Sequence, residues 1–264
     1  MKKVLFLFLS VISFFGGFLN ASSLYERLIN KETISVGTEG IYPPFTYHDK
    51  EGKLTGYDVE VARELAKELG VKIKFHETSW DIMLTGLKSG RFDMVANQVS
   101  LTTKKRQAAF DKSLPYSYSG TIMLVRKDEN RIKDIKDIKD IKDIKGLRAA
   151  NTLSSTYGEI AFKYDAQIVS VDSMAQALLL VAQKRADLTL NSSLAILNYL
   201  NTHKNNPFKI AWESKEKDGG ASFVINKHQE KALELINQAM QRLIDKGVLK
   251  RLGEQFFGKD VSQP

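Results

Sequence analysis

The chain reads as an α/β protein of two related, Rossmann-like lobes, each with a mostly parallel sheet between helices. Two observations predict this. Strand-like and helix-like periodicity alternate along most of the length, the order that yields parallel strands joined by helical crossovers. One local pattern also occurs twice. Arg91-Phe-Asp93-Met-Val-Ala-Asn97 and Arg185-Ala-Asp187-Leu-Thr-Leu-Asn191 carry Arg, Asp and Asn at identical spacing, as expected of two equivalent units.

The elements follow in order. Ile34–Gly37 reads as a strand. Tyr57–Leu69 reads as a helix with Val61, Leu65 and Leu69 on one face and Gly70 as its stop. Val71–Phe75 alternates as a half-buried strand. Trp80–Ser89 is a helix ended by Gly90, and Phe92–Asn97 is a strand. The order then returns: strand Leu147–Asn151, helix Thr156–Lys163, strand Gln167–Val171, helix Met174–Lys184, strand Ala186–Asn191. A helix (Ser192–Asn201), strands Phe208–Trp212 and Ala221–Asn226, and a long amphipathic helix carrying Leu233, Ile236, Met240, Leu243 and Ile244 complete the chain.

The 264 residues are 43% hydrophobic, enough for a sizeable core. The start is set apart. Lys2 and Lys3 precede an apolar run, Val4–Leu19, followed by the small residues Ala21, Ser22 and Ser23. That order is a secretory signal peptide, expected over residues 1–21. The run is shorter than the roughly 20 apolar residues that span a bilayer. There is no cysteine, which excludes disulfides and an N-terminal lipidated cysteine. Loss of the two leader lysines takes the formal charge from +8 to +6. The basic residues are interspersed with almost as many acids and form no basic helix with interleaved aromatics, so nucleic acid is not the expected partner. The triplet Ile-Lys-Asp repeats from Ile132 to Asp143. A period of three drifts around a helix and holds no single face, so an exposed, turn-rich extension is expected.

Catalytic and metal signatures are scarce. There is no Gly-x4-Gly-Lys phosphate loop, no Gly-x-Ser-x-Gly elbow and no His-Glu-x-x-His. His48, His76, His203 and His228 lack ligand spacing, and no metal or cofactor is expected. The equipment for holding a zwitterion is plain. Ligands of open α/β sheets sit beyond the carboxyl ends of strands. Three segments lie there: Glu39–Phe45, where Pro43 and Pro44 stiffen a loop presenting aromatics; Asn97–Arg106, whose Arg106 can grip a carboxylate bidentately; and Leu153–Tyr157, which opens a helix with free N–H groups.

These residues resemble the polar amino-acid-binding proteins of ATP-binding-cassette importers. The resemblance runs from about Ile34 to Asp260. It is carried by Tyr42-Pro-Pro-Phe45, Gly56-Tyr-Asp-Val-Glu-Val-Ala62, Trp80, Gly90-Arg-Phe-Asp93, the Ser100–Arg106 loop, Pro115–Gly120 and Gly253-Glu-Gln-Phe-Phe-Gly258-Lys-Asp260. It implies a type II periplasmic-binding-protein fold: lobe one over residues 24–119 plus 220–264, lobe two over 120–219. The two hinge crossings would lie near Tyr118–Ile122 and Glu213–Gly220. It implies a ligand carboxylate on Arg106, Ser155 and Thr156, an ammonium near Gln98 and Ser100, and Tyr42 and Trp80 around the side chain, with Glu39 assisting. Two departures stand out. The Ser100-to-Arg106 gap is one residue longer than the family's, and Ser192 occupies the place of the acid that pairs with the ammonium.

Asn97-Gln98-Val99-Ser100 and the ending Phe257-Gly-Lys-Asp-Val-Ser262 resemble the cystine/cysteine-binding branch. Acidic amino acids are the alternative ligands. The expected protein is a periplasmic monomer and not an enzyme, its partners an amino acid and a membrane permease with its ATPase. The alternatives are a same-fold dehydratase of prephenate or arogenate, and a chemoreceptor or adhesion ligand subunit.

Overall fold

Two five-stranded sheets carry the molecule. The structure, a computed structural model, describes residues 22–131, 141–214, 217 and 219–264. The expected leader and the triplets as far as Asp140 lie outside these residues. The chain runs α1 (Leu24–Ile29), β1 (Thr33–Thr38), a small antiparallel sheet of β2 (Ile41–Tyr42), β3 (Thr46–His48) and β4 (Leu54–Thr55), then α2 (Tyr57–Leu69), β5 (Lys72–Glu77), α3 (Trp80–Lys88), β6 (Met94–Val95), α4 (Lys104–Ala109) and β7 (Phe110–Lys112). It crosses to β8 (Thr121–Arg126), a 3-10 turn (Ile141–Ile144), β9 (Arg148–Asn151), α5 (Thr156–Lys163), β10 (Gln167–Ser170), α6 (Met174–Ala182), β11 (Leu188–Ser192), α7 (Ser193–Thr202) and β12 (Phe208–Glu213). It returns through β13 (Val224–Asn226) to α8 (Glu230–Asp245) and α9 (Val248–Phe257).

The strand orders are β5-β1-β6-β13-β7 and β10-β9-β11-β8-β12. The sheets are more mixed than the sequence predicts. β13 runs antiparallel to β6 and β7, and β8 antiparallel to β11 and β12. Both strands are entered from the other sheet, not from a preceding helix, so no crossover forces them parallel. The crossing segments lie side by side. Ala221 N–H donates to the Ser117 carbonyl and Tyr116 N–H to that of Ala221, both at 2.8 Å.

Alternation along single strands divides each sheet between two cores. In β6, Met94 joins the cluster of α2, α8 and α9, while Val95 joins that of α3. In β8, Ile122 and Leu124 face the α6–α7 side, and Met123 and Val125 the α5 side. All six side chains are buried, each worth ~1.5–3 kcal/mol relative to exposure. α2 begins where expected, because only glycine fits before it. Gly56 has φ 120°, and a Cβ there would stand 2.3 Å from the Phe45 carbonyl oxygen.

The twice-occurring pattern has one structural meaning. Asp93 accepts the N–H of Ser35 on the strand beside β6, and Asp187 that of Arg148 on the strand beside β11, both at 2.8 Å. Each aspartate fastens the entrance of its strand to a neighbour. The Ile-Lys-Asp expectation needs correction at its downstream end. Ile141 and Ile144 are buried in the α5-side core, so those isoleucines are ordinary core residues and not an exposed extension.

Candidate functional site

A cavity of about 580 Å3, open solvent at its mouth included, lies where strands of both sheets end. Glu39 follows β1, Asn97 and Gln98 follow β6, Thr152 follows β9, Ser173 and Met174 follow β10, and Asn191 belongs to β11; all line it. Carboxyl ends of strands expose main-chain groups that no ladder uses, which is why ligands collect there.

On the first side, Glu39 N–H donates to Asn97 Oδ1 (2.8 Å), and Asn97 Nδ2 donates to Glu39 Oε2 (2.6 Å). Asn97 thereby locks the acid into the wall. Burial pushes the Glu39 carboxyl up to about 7, partly offset by the Asn97 hydrogen bond. Trp80, first residue of α3, lines the cavity beside it. Its buried indole Nε1 has no hydrogen-bond partner among the described residues. Phe45 is buried against Tyr42 and Phe257 and forms wall behind the cavity.

Arg106 on α4 is 6% exposed. Its guanidinium donates to the Ser100 carbonyl (3.3 Å), the Thr156 hydroxyl (2.9 Å) and the Ser154 carbonyl (2.5 Å), and lies 3.4 Å from Glu159. Burial lowers its pKa and Glu159 acts against that; an arginine so placed stays charged. It therefore carries a positive charge from an element of the first sheet onto the helix start of the second.

That helix start is built locally. The Ser155 side chain caps α5, accepting Gly158 N–H at 3.0 Å and donating to the Thr152 carbonyl at 2.8 Å. Two further contacts join the sides. Asp81 accepts the N–H and hydroxyl of Ser154 (3.1 and 2.6 Å), and the Tyr42 hydroxyl donates to Asn191 Oδ1 (2.6 Å). The arrangement offers a cationic and N–H-rich end at Arg106 and α5, and an acidic end at Glu39.

Glu39, Tyr42, Trp80, Gln98, Ser100, Ser155 and Thr156 all line this cavity. Arg106 stands one bond behind it, on Ser100 and Thr156. Ser192 is not brought in. Its hydroxyl lies 2.6 Å from that of Ser119, and the cavity residue of β11 is its neighbour Asn191, because successive strand residues face opposite sides. The sequence reading held Ile41 only as part of the Glu39–Phe45 loop and missed Thr152, Ser173 and Met174. Of these Ser173 carried a local signal, as a serine preceding a helix; the other two depend on how the sheets meet.

Among the described residues no His, Cys, Asp or Glu cluster could hold a metal, and no helix is long and apolar enough to cross a membrane. The family model of bacterial extracellular solute-binding proteins, family 3, matches residues 34–259. A probable amino-acid ABC transporter-binding protein of Haemophilus influenzae is 39% identical, covering all of both chains. The L-cystine-binding protein TcyA of Bacillus subtilis is 43% identical over 91% of this chain and 87% of its own. The crystal structure of the L-cystine solute receptor of Neisseria gonorrhoeae, unliganded and open, is 53% identical over 92% of this chain and all of that one, with a TM-score of 0.62. This chain thus belongs to the bacterial extracellular solute-binding proteins, family 3.

Proposed function

We propose that this protein is the solute-binding component of an ABC importer for amino acids, and that its ligand is L-cystine or cysteine. The ligand sits between lobe one (24–119 plus 220–264) and lobe two (120–219), and the closed form delivers it to the membrane permease. Arg106, aided by Ser155 and Thr156, takes the carboxylate. Glu39, Gln98 and Ser100 take the ammonium, and Tyr42 and Trp80 enclose the side chain. Leader cleavage near residue 21 releases it as a monomer into the periplasm.

The observation that carries this reading is the Arg106 guanidinium bonded to Thr156 at 2.9 Å across the two sheets. A carboxylate at that point touches both sides at once and favours closure by its differential affinity. Two relatives named for L-cystine support the ligand. Glu39 supports it as well: an acid in the cavity suits a ligand with two ammonium groups better than aspartate or glutamate, whose extra charge is negative.

The test is a thermal-shift screen against the twenty amino acids and L-cystine, followed by calorimetry, since a ligand that binds only the folded state raises stability by mass action. L-cystine should give the largest shift. No shift with any of them would sink the proposal.

A further inference from the structure

Asp58, the second residue of α2, is fully buried. A buried carboxylate is costly unless hydrogen-bonded, and this one is satisfied by neutral groups from outside its helix. Its Oδ2 accepts the main-chain N–H of Gln98 (2.6 Å) and the Tyr116 hydroxyl (3.0 Å); its Oδ1 accepts Gln98 Nε2 (2.7 Å). Gln98 Nε2 also donates to Ser117 Oγ at 3.0 Å, so the Gln98 amide nitrogen has both its protons used.

Gln98 lines the cavity and holds φ at 50°. A side chain with a Cβ is disfavoured there by ~1–2 kcal/mol, and persists only where its surroundings impose it. A carboxylate that takes hydrogen bonds from both the main chain and the side chain of one residue fixes that residue's backbone and rotamer together. An acid at the start of α2 that served the helix alone, through its dipole or its first N–H groups, would need no donors from elsewhere in the chain. The acceptors of Asp58 are filled by Gln98 and Tyr116.

We propose that Asp58 is a positioning residue for the ligand site: its carboxylate holds Gln98 in the left-handed conformation that shapes the cavity wall. The proposal rests on the solute-binding reading for its consequence on affinity, but not for the geometry.

The experiment compares wild type, Asp58→Asn, Gln98→Gly and the double variant. Asparagine is isosteric with Asp58 but cannot accept from all three donors. Asp58→Asn should weaken L-cystine binding by about tenfold or more, measured by calorimetry at pH 8, where Asp58 is ionised. In the Gln98→Gly background the same change should cost no more than about twofold, because glycine takes positive φ unaided. An equal loss in both backgrounds would overturn the proposal. A second readout needs no ligand. In wild type the Gln98 amide proton should be shifted downfield and protected from exchange, and Asp58→Asn should abolish both signatures. An unprotected Gln98 amide in wild type overturns the proposal even if Asp58→Asn does not fold. If wild type binds neither L-cystine nor any of the twenty amino acids, the functional reading fails while the amide measurement still decides the role of Asp58.

Discussion

The guanidinium of Arg106 lies 2.9 Å from the hydroxyl of Thr156, fifty residues further along the chain and on the other sheet. Its other nitrogen reaches the Ser154 carbonyl, so one planar group spans the start of α5. Arg106→Ala should cost on the order of 2–5 kcal/mol of binding, the range for removing one partner of a buried charge pair. Arg106→Lys should also fail to restore binding, since an ammonium is a point charge without the two-pronged geometry. Calorimetric affinities near wild type in either variant would remove Arg106 from the site.

Stability should depend on pH through Glu39. Its pKa rises from 4.5 to about 7 on folding, and Asp58 shifts in the same direction, from 3.8 to about 7. Between these limits the folded protein keeps protons that the unfolded chain has released. The stabilising effect is full below the unfolded values and is lost as pH rises through about 7. Ligand-free protein should therefore melt at a higher temperature at pH 5 than at pH 8. Glu39→Gln should remove on the order of 1–2 kcal/mol of that difference, partial exposure included. A ligand ammonium beside Glu39 should expel a proton. Calorimetry at pH 6 in buffers of differing ionisation enthalpy reads this directly, and no buffer dependence would count against contact with Glu39.

Gly158 sits inside α5, where helix propensity alone would favour alanine by ~1 kcal/mol. The structure reverses that sign. A Cβ at 158 would stand 2.4 Å from the Thr152 carbonyl oxygen and 3.1 Å from that of Leu153, both main chain. Gly158→Ala should destabilise by ~1–3 kcal/mol, as overpacking does, and weaken binding, since Thr152 and Thr156 line the cavity. An unchanged melting temperature would show that α5 can retreat freely.

Asp187 offers the opposite case, a buried acid remote from the ligand. Burial raises its pKa, but hydrogen bonds from Arg148 and Arg131 outweigh this and hold it well below the usual carboxylate range. Its contribution is present above the unfolded pKa and fades as pH falls through the folded value. Asp187→Ala should cost about 2–3 kcal/mol, below the fully buried range because both arginines are half exposed. Ligand affinity should stay within about twofold. A large loss of affinity would tie this network to the cleft.

The order of elements was legible because its signals are local. Apolar spacing and a glycine stop gave α2 from Tyr57 to Leu69 without error, and α5 begins at Thr156 as read, with Ser155 as the cap that the structure adds. The strand predicted over Phe92–Asn97 shrinks to Met94–Val95. Asp93 is drawn to Ser35, Asn97 to Glu39, and Gln98 turns to positive φ. Those are long-range bonds that periodicity does not report. The short elements α1, β2–β4, α4 and β7 escaped notice, as did α9 beyond its glycine; β8 also went unread, because Ile122–Val125 is buried on both faces and does not alternate.

By itself the sequence determined the two-lobed α/β plan and set Glu39, Trp80, Gln98, Ser100 and Arg106 at strand ends or helix starts, since patterning and caps act within a few residues. Only the tertiary structure decided which groups meet across the sheets. It put Arg106 on Ser154 and Thr156, gave Gln98 to Asp58, brought in Ser173 and Met174, and turned Ser192 away to Ser119. Each of those contacts depends on how distant segments pack, and a two-residue alternation along one strand was enough to choose Asn191 over Ser192.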